Sequence, residues 1–206
     1  MIKVLRLICI LFLFTGNAQK SNSPYVWDWK KDAIWTGAGI GGTALGLLAI
    51  KNKTPLTEIE VENLLKDEVF FLDRWAAGYY SEKASNISDI PFYAAFGTPL
   101  ILALDPQAND HSLILAGLYI ESLSTTSALF TLTAGLVNRS RPLVYGDEVP
   151  LGEKLRITAR RSFYSGHVAA SATATFFAAK VYSDFHPDSP WTPYIWAAAA
   201  TIPAGV

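Results

Sequence analysis

The chain has 206 residues, half of them hydrophobic, with 17 basic and 18 acidic side chains and a formal net charge of -1. That length suffices for one domain with a sizeable core, and the near-neutral balance argues against a general nucleic-acid binder. Charged residues make up only 17% and the mean hydropathy is +0.23, apolar for a soluble protein and compatible with a membrane.

Residues 1–18 read as a secretory signal peptide. Lys3 and Arg6 form its basic start, residues 7–14 a short apolar run, and Gly16-Asn17-Ala18 a small-x-small cleavage site. The run is too short to span a bilayer comfortably, and a retained anchor is the alternative. The only cysteine, Cys9, falls inside this segment, so the mature chain is expected to have no disulfide.

Trp27-Asp28-Trp29-Lys30-Lys31-Asp32 has the composition of a membrane–water interface. Residues 33–50 carry no charge, with Gly37/Gly41 and Gly42/Gly46 at the four-residue spacing that lets helix backbones approach closely. Thr57-Glu58-Ile59-Glu60 has the form of a capping box, and Val61, Leu64, Leu65 and Leu72 continue at helical spacing. That pattern predicts an amphipathic helix, with Asp73-Arg74-Trp75 and Tyr79-Tyr80 pairing and packing at its end.

Residues 90–104 form a second uncharged run, interrupted by Pro91 and Pro99, that is expected to fall short of a bilayer span. After a turn at residues 105–110, where His111 reads as a surface residue, residues 112–138 predict a long apolar helix. Its one charge, Glu121, is a functional-site candidate if the helix lies in a membrane. Residues 142–162 form a long, charge-rich loop of the kind that signals function or disorder. A small-residue helix follows from Gly166, then a turn with His186, read as a loop histidine. The last run, residues 191–206, is apolar and has no stop signal, so the chain is expected to end short of its natural C-terminus.

The stretch 139–167 holds the chemistry. Arg139 and Arg141 stand one residue apart, and Ser165-Gly166-His167 sits at a helix start. A guanidinium fork matches phosphate oxygens and keeps its charge, and a helix's first turn offers unpaired N–H groups to an anion. A histidine there can protonate a leaving alkoxide near neutrality. These parts suit phosphoryl transfer.

Arg141-Pro142 followed by Ser165-Gly166-His167 between apolar helices resembles the type-2 phosphatidic acid phosphatase superfamily, which includes acid phosphatases and vanadium haloperoxidases. The resemblance covers roughly residues 90–206. It implies that Arg141, Ser165 and the Gly166 amide bind phosphate, that His167 is the general acid, and that no metal is needed. It further implies a phosphohistidine formed on a histidine of a third block, Ser-Arg followed by histidine and aspartate. This sequence departs in three places. Ala134 stands where the first block has a lysine, for which Arg139 is the expected substitute; Tyr164 replaces a proline; and no third block occurs. His186 with Asp188 is no substitute, since no Ser-Arg precedes them.

The expected architecture is an all-α, membrane-embedded bundle of about five to six helices, incomplete at its C-terminus. It divides into a signal peptide (1–18), an N-terminal segment (19–88) and a partial phosphatase core (89–206). The expected function is metal-independent hydrolysis of a lipid phosphomonoester or pyrophosphate, with the fragment itself inactive for want of the third block. A soluble periplasmic acid phosphatase, a vanadate-dependent haloperoxidase (vanadate mimicking phosphate) and a non-catalytic phosphate-headgroup binder are the alternatives. The basic loop favours an inward site by the positive-inside tendency. The resemblance and the signal peptide favour a periplasmic one, and that placement in the cell envelope is the expectation.

Overall fold

The computed structural model describes residues 23–206, so the expected signal peptide with Cys9 lies outside the described residues. The fold is all-α. Eight α-helices occur among them: α1 Lys31–Lys51, α2 Glu58–Glu62, α3 Glu82–Ile101, α4 Pro106–Asn109, α5 Ser112–Leu136, α6 Leu151–Lys154, α7 Gly166–Phe185 and α8 Thr192–Ala204. Five of these are long and three are about one turn, so the long ones match the expected bundle. The boundary drawn at residue 88 falls inside α3.

The helix α5 lies against α1 on one side and α7 on the other, and α7 also meets α3 and α8. The α1–α5 seam is built on glycine, and of the two pairs singled out by spacing Gly42/Gly46 takes part while Gly37/Gly41 does not. Gly37 and Gly41 face open space, whereas Gly39, Gly42 and Gly46 meet Ser124, Ala128 and Thr131 of α5. The rest of α1 turns Ile34, Ile40, Leu45 and Leu48 outward. Hydroxyl groups tie the other seams: Thr126 to Thr173 between α5 and α7 at 2.7 Å, and Thr175 Oγ1 to the Ala199 carbonyl of α8 at 2.9 Å.

Three helical stretches, Lys31–Lys51, Glu82–Leu104 and Ser112–Leu136, are long and apolar enough to cross a membrane. This corrects the expectation that the second apolar run is too short. Ser81 caps α3 by accepting from the Ala84 N–H at 3.1 Å, so the helix starts eight residues before the uncharged run. Its prolines are accommodated rather than disruptive. Pro99 cannot donate to the Ala95 carbonyl, and the Thr98 hydroxyl donates to it instead at 2.7 Å. The correction also couples two expectations. Three crossings carry the chain to the opposite face, so a cleaved signal peptide and a periplasmic site exclude one another if all three helices span.

The predicted amphipathic helix is shorter than its periodicity. The capping box at Thr57 and Glu60 is present, but α2 ends at Glu62. Beyond it the Arg74 guanidinium binds the carbonyls of Asp67 (2.6 Å) and Val69 (3.3 Å), satisfying them without a helix. Trp75 and Tyr79 do not pack at a helix end; they stay exposed, edge to face at 6.1 Å.

At the far end of the bundle from the 139–167 stretch, Leu102, Ala108, Leu115, Val181 and Phe185 form an apolar cluster. Two histidines are less peripheral there than the sequence suggests. His111 stacks on Phe185 at 5.8 Å, and His186 Nε2 meets Asp105 Oδ2 at 2.5 Å. Burial raises the Asp105 carboxyl, but the bond to His186 and the N–H groups of Gln107 and Ala108 outweigh it and leave it below its usual 3.8. A depressed folded value means stability that is present above 3.8 and lost as pH falls through the folded value. Asp105→Asn should therefore cost about 1.5 kcal/mol at neutral pH and flatten the acid limb below 3.8. Acid unfolding curves of the two proteins measure it, and superimposable curves would remove the pair's role.

Candidate functional site

The C-terminal end of α5 fixes one half of the site. Lys53, only 8% exposed, sends its ammonium to the carbonyls of Ala134 (2.8 Å) and Val137 (2.6 Å). Those carbonyls end the helix without intrahelical partners, at the negative end of its dipole, so a cation satisfies both demands. Burial and the charges of Arg160 and Arg161 push the lysine below its ordinary value.

From there the chain runs on beside residues 159–162. Arg139 and Arg161 form a parallel backbone bridge, the Arg141 N–H donates to the Ala159 carbonyl at 2.7 Å, and the Ser162 N–H donates to the Arg139 carbonyl at 3.0 Å. The two ends of the charged loop are thus held together. Between them the chain is ordered, with 3-10 turns at Pro142–Tyr145 and Ile157–Arg160 flanking α6. Val144 and Ala159 bury against Leu56, with Val61 and Leu64 packed around them. Gly78, at φ +99, lets the preceding segment turn so that its N–H reaches the Pro142 carbonyl at 2.8 Å.

The two predicted arginines differ in state. Arg139 Nη2 is 2.5 Å from Asp73 Oδ2, both side chains being partly exposed. Arg141 is exposed and has no acidic partner among the described residues. Arg161, part-buried in the same backbone pairing, also has none; its burial and the Arg141 charge push its guanidinium below the ordinary value.

The other half of the site is the start of α7. Ser165 is the N-cap, its Oγ accepting from the Val168 N–H at 3.3 Å. Glycine comes next, and a Cβ on Gly166 would lie 2.8 Å from the Phe130 ring, which would have to shift to admit it. His167 is half exposed, its Nδ1 3.9 Å from Asp89 Oδ1 and its ring against Phe92 at 4.1 Å between centroids. Asp89 and Phe92 lie three apart on α3, on one face. Sequence spacing did not single them out, although a carboxylate three residues before an aromatic on a helix was a readable signal. Nε2 of His167 has no partner among the described residues.

The structure therefore assembles Ser165, Gly166 and His167 on one helix start, and Arg139 and Arg141 with Arg161 on one backbone pairing. Three residues separate Arg161 from Ser165, a reach of at most ~14 Å. No hydrogen bond or ion pair links the two groups. A cavity of about 470 Å³ opens beside the Ser165 turn, lined by Thr126, Leu129, Thr133, Tyr164, Ala169 and Thr173. None of the predicted site residues lines it. A second, of about 360 Å³, is lined by Tyr25, Glu121, Lys180 and neighbours, so Glu121 belongs to a different surface. Among the described residues no group of three or more His, Cys, Asp or Glu side chains could hold a metal ion.

No protein-family model matches the chain, and no curated protein or solved structure matches it either.

Proposed function

We propose that this chain is a membrane-associated phosphatase that takes a phosphomonoester or pyrophosphate carried on a lipid. The observation that carries the reading is His167, set in the first turn of α7 with a carboxylate beside Nδ1 and no partner on Nε2 among the described residues. In that setting Arg141 and the Gly166 N–H draw negative charge off the phosphoryl oxygens. The Ser165 hydroxyl, whose oxygen already caps the helix, keeps a proton to donate to another oxygen. As the P–O bond to the leaving group breaks, His167 gives its proton to the departing oxygen. Asp89 steadies the charged imidazole until that transfer. The resemblance assigns formation of the P–N bond to a third-block histidine that residues 1–206 do not contain, so these residues hold and protonate. Apolar side chains that α1, α3 and α5 turn outward suit a lipid-borne substrate. A periplasmic site would require Trp27 on the cytoplasmic side.

Phosphate release from a short-chain lipid phosphate, measured for the full reading frame in membranes, tests this. His167→Ala is expected to lower turnover by at least ~100-fold, and equal rates would remove the assigned role. One observation favours a second reading, a phosphate-headgroup binder without turnover. Arg139, the expected stand-in for the missing lysine, is already engaged by Asp73. Saturable phosphate binding with no release by the full reading frame would select it.

A further inference from the structure

We propose that Arg161 is a second oxyanion-binding guanidinium, paired with Arg141, and that this pair supplies the cation missing at position 134. The inference rests on the anion-binding part of the proposed function and not on its chemistry.

Position 134 has no room for that cation. Ala134 is buried at 5% exposure, and its carbonyl is already taken by Lys53. Lys53 and the other arginines nearby are committed. Lys53 closes the end of α5, Arg139 is held by Asp73, and Arg160 reaches the Thr54 carbonyl at 3.2 Å and feels Glu60. Arg156 pairs with Glu153 at 2.8 Å. What remains is Arg141 and Arg161, brought together because the backbone of 139–141 pairs with that of 159–162.

Two like charges set side by side without a carboxylate repel one another, and burial of one makes the repulsion stronger. An anion between them removes that cost. Two planar forks fit a tetrahedral oxyanion such as a phosphoryl group. The pairing also delivers Arg161 four residues before the N-cap of α7, so the same anion can meet the helix's free N–H groups.

The test is equilibrium dialysis of inorganic phosphate with the full chain in detergent. The wild type is expected to bind saturably, Arg141→Gln and Arg161→Gln each ~10 to 100-fold more weakly, and Arg160→Gln within about 3-fold of wild type. Wild-type affinity in a folded Arg161→Gln protein, or no saturable binding by the wild type, overturns the proposal. In case Arg161→Gln fails to fold, phenylglyoxal modification of the wild-type chain, read by mass spectrometry, decides the point. Phosphate should slow modification of Arg141 and Arg161 but not of Arg156; an unprotected Arg161 overturns the pair. The two readings fail separately. Loss of binding in Arg161→Gln with no phosphate release by the wild type keeps the anion site and discards the phosphatase. The opposite result keeps the phosphatase and discards Arg161.

Discussion

Gly46→Leu should separate α1 from α5, at a cost of more than about 3 kcal/mol. A Cβ at Gly46 would stand 2.5 Å from the Leu132 nitrogen and 2.5 Å from the Thr131 carbonyl carbon. Both are backbone atoms, so no change of rotamer makes room and the helices must part. The seam is reciprocal, since Gly135 of α5 faces Ala49 and the Gly46 carbonyl. Gly37→Leu is the control: a Cβ there meets nothing within 4 Å, and the change should stay within about 0.5 kcal/mol. Thermal unfolding in detergent, with protease sensitivity of the 52–57 linker as a second readout, distinguishes the two. Similar stability for both variants would show that α1 is not held by this face.

Lys53→Met should cost about 3 kcal/mol and loosen the whole 139–162 region. Methionine keeps the stem's volume but removes the donors to Ala134 and Val137, leaving carbonyls that water reaches poorly. The loss should spread to the Arg139–Arg161 bridge, because Val137 and Arg139 are two residues apart. Alkaline titration adds a signature. Burial first, then the charges of Arg160 and Arg161, lower the folded lysine's value from 10.5. The unfolded chain then binds more protons between the lowered value and 10.5, so the wild type gains stability as pH rises through that window. The methionine variant lacks that gain. A difference between the proteins that does not change with pH would mean that Lys53 is not the group responsible.

Much of this fold was readable in the sequence where one local signal dominates. The apolar runs at 33–50 and 112–138 became α1 and α5, Thr57 with Glu60 became a capping box, and Ser165 became an N-cap. Readings failed where a distant group decided the outcome. The Asn63 amide takes the Ile59 carbonyl at the end of α2, and Arg74 takes those of Asp67 and Val69 beyond it. The start of α3 was hidden because Glu82, Lys83 and Asp89 are charged and precede the apolar run. Spacing alone offered two glycine pairs, and only the position of α5 selects Gly39, Gly42 and Gly46. At the site, residue types marked Arg141 and His167, but their neighbours Lys53, Asp89 and Arg161 arrive from other segments. No pattern along the chain reports a lysine that meets a carbonyl 81 residues away.

The end of α5 that receives Lys53 also carries Asp73, the 139–162 pairing and the start of α7. The Asp105–His186 pair occupies the other end of the bundle. With α1, α3 and α5 laid across a bilayer, every group assigned to the proposed phosphoryl site then addresses a single leaflet. A headgroup in the opposite monolayer lies beyond ~30 Å of hydrocarbon. Turnover of such a lipid would be governed by how fast something else flips it across.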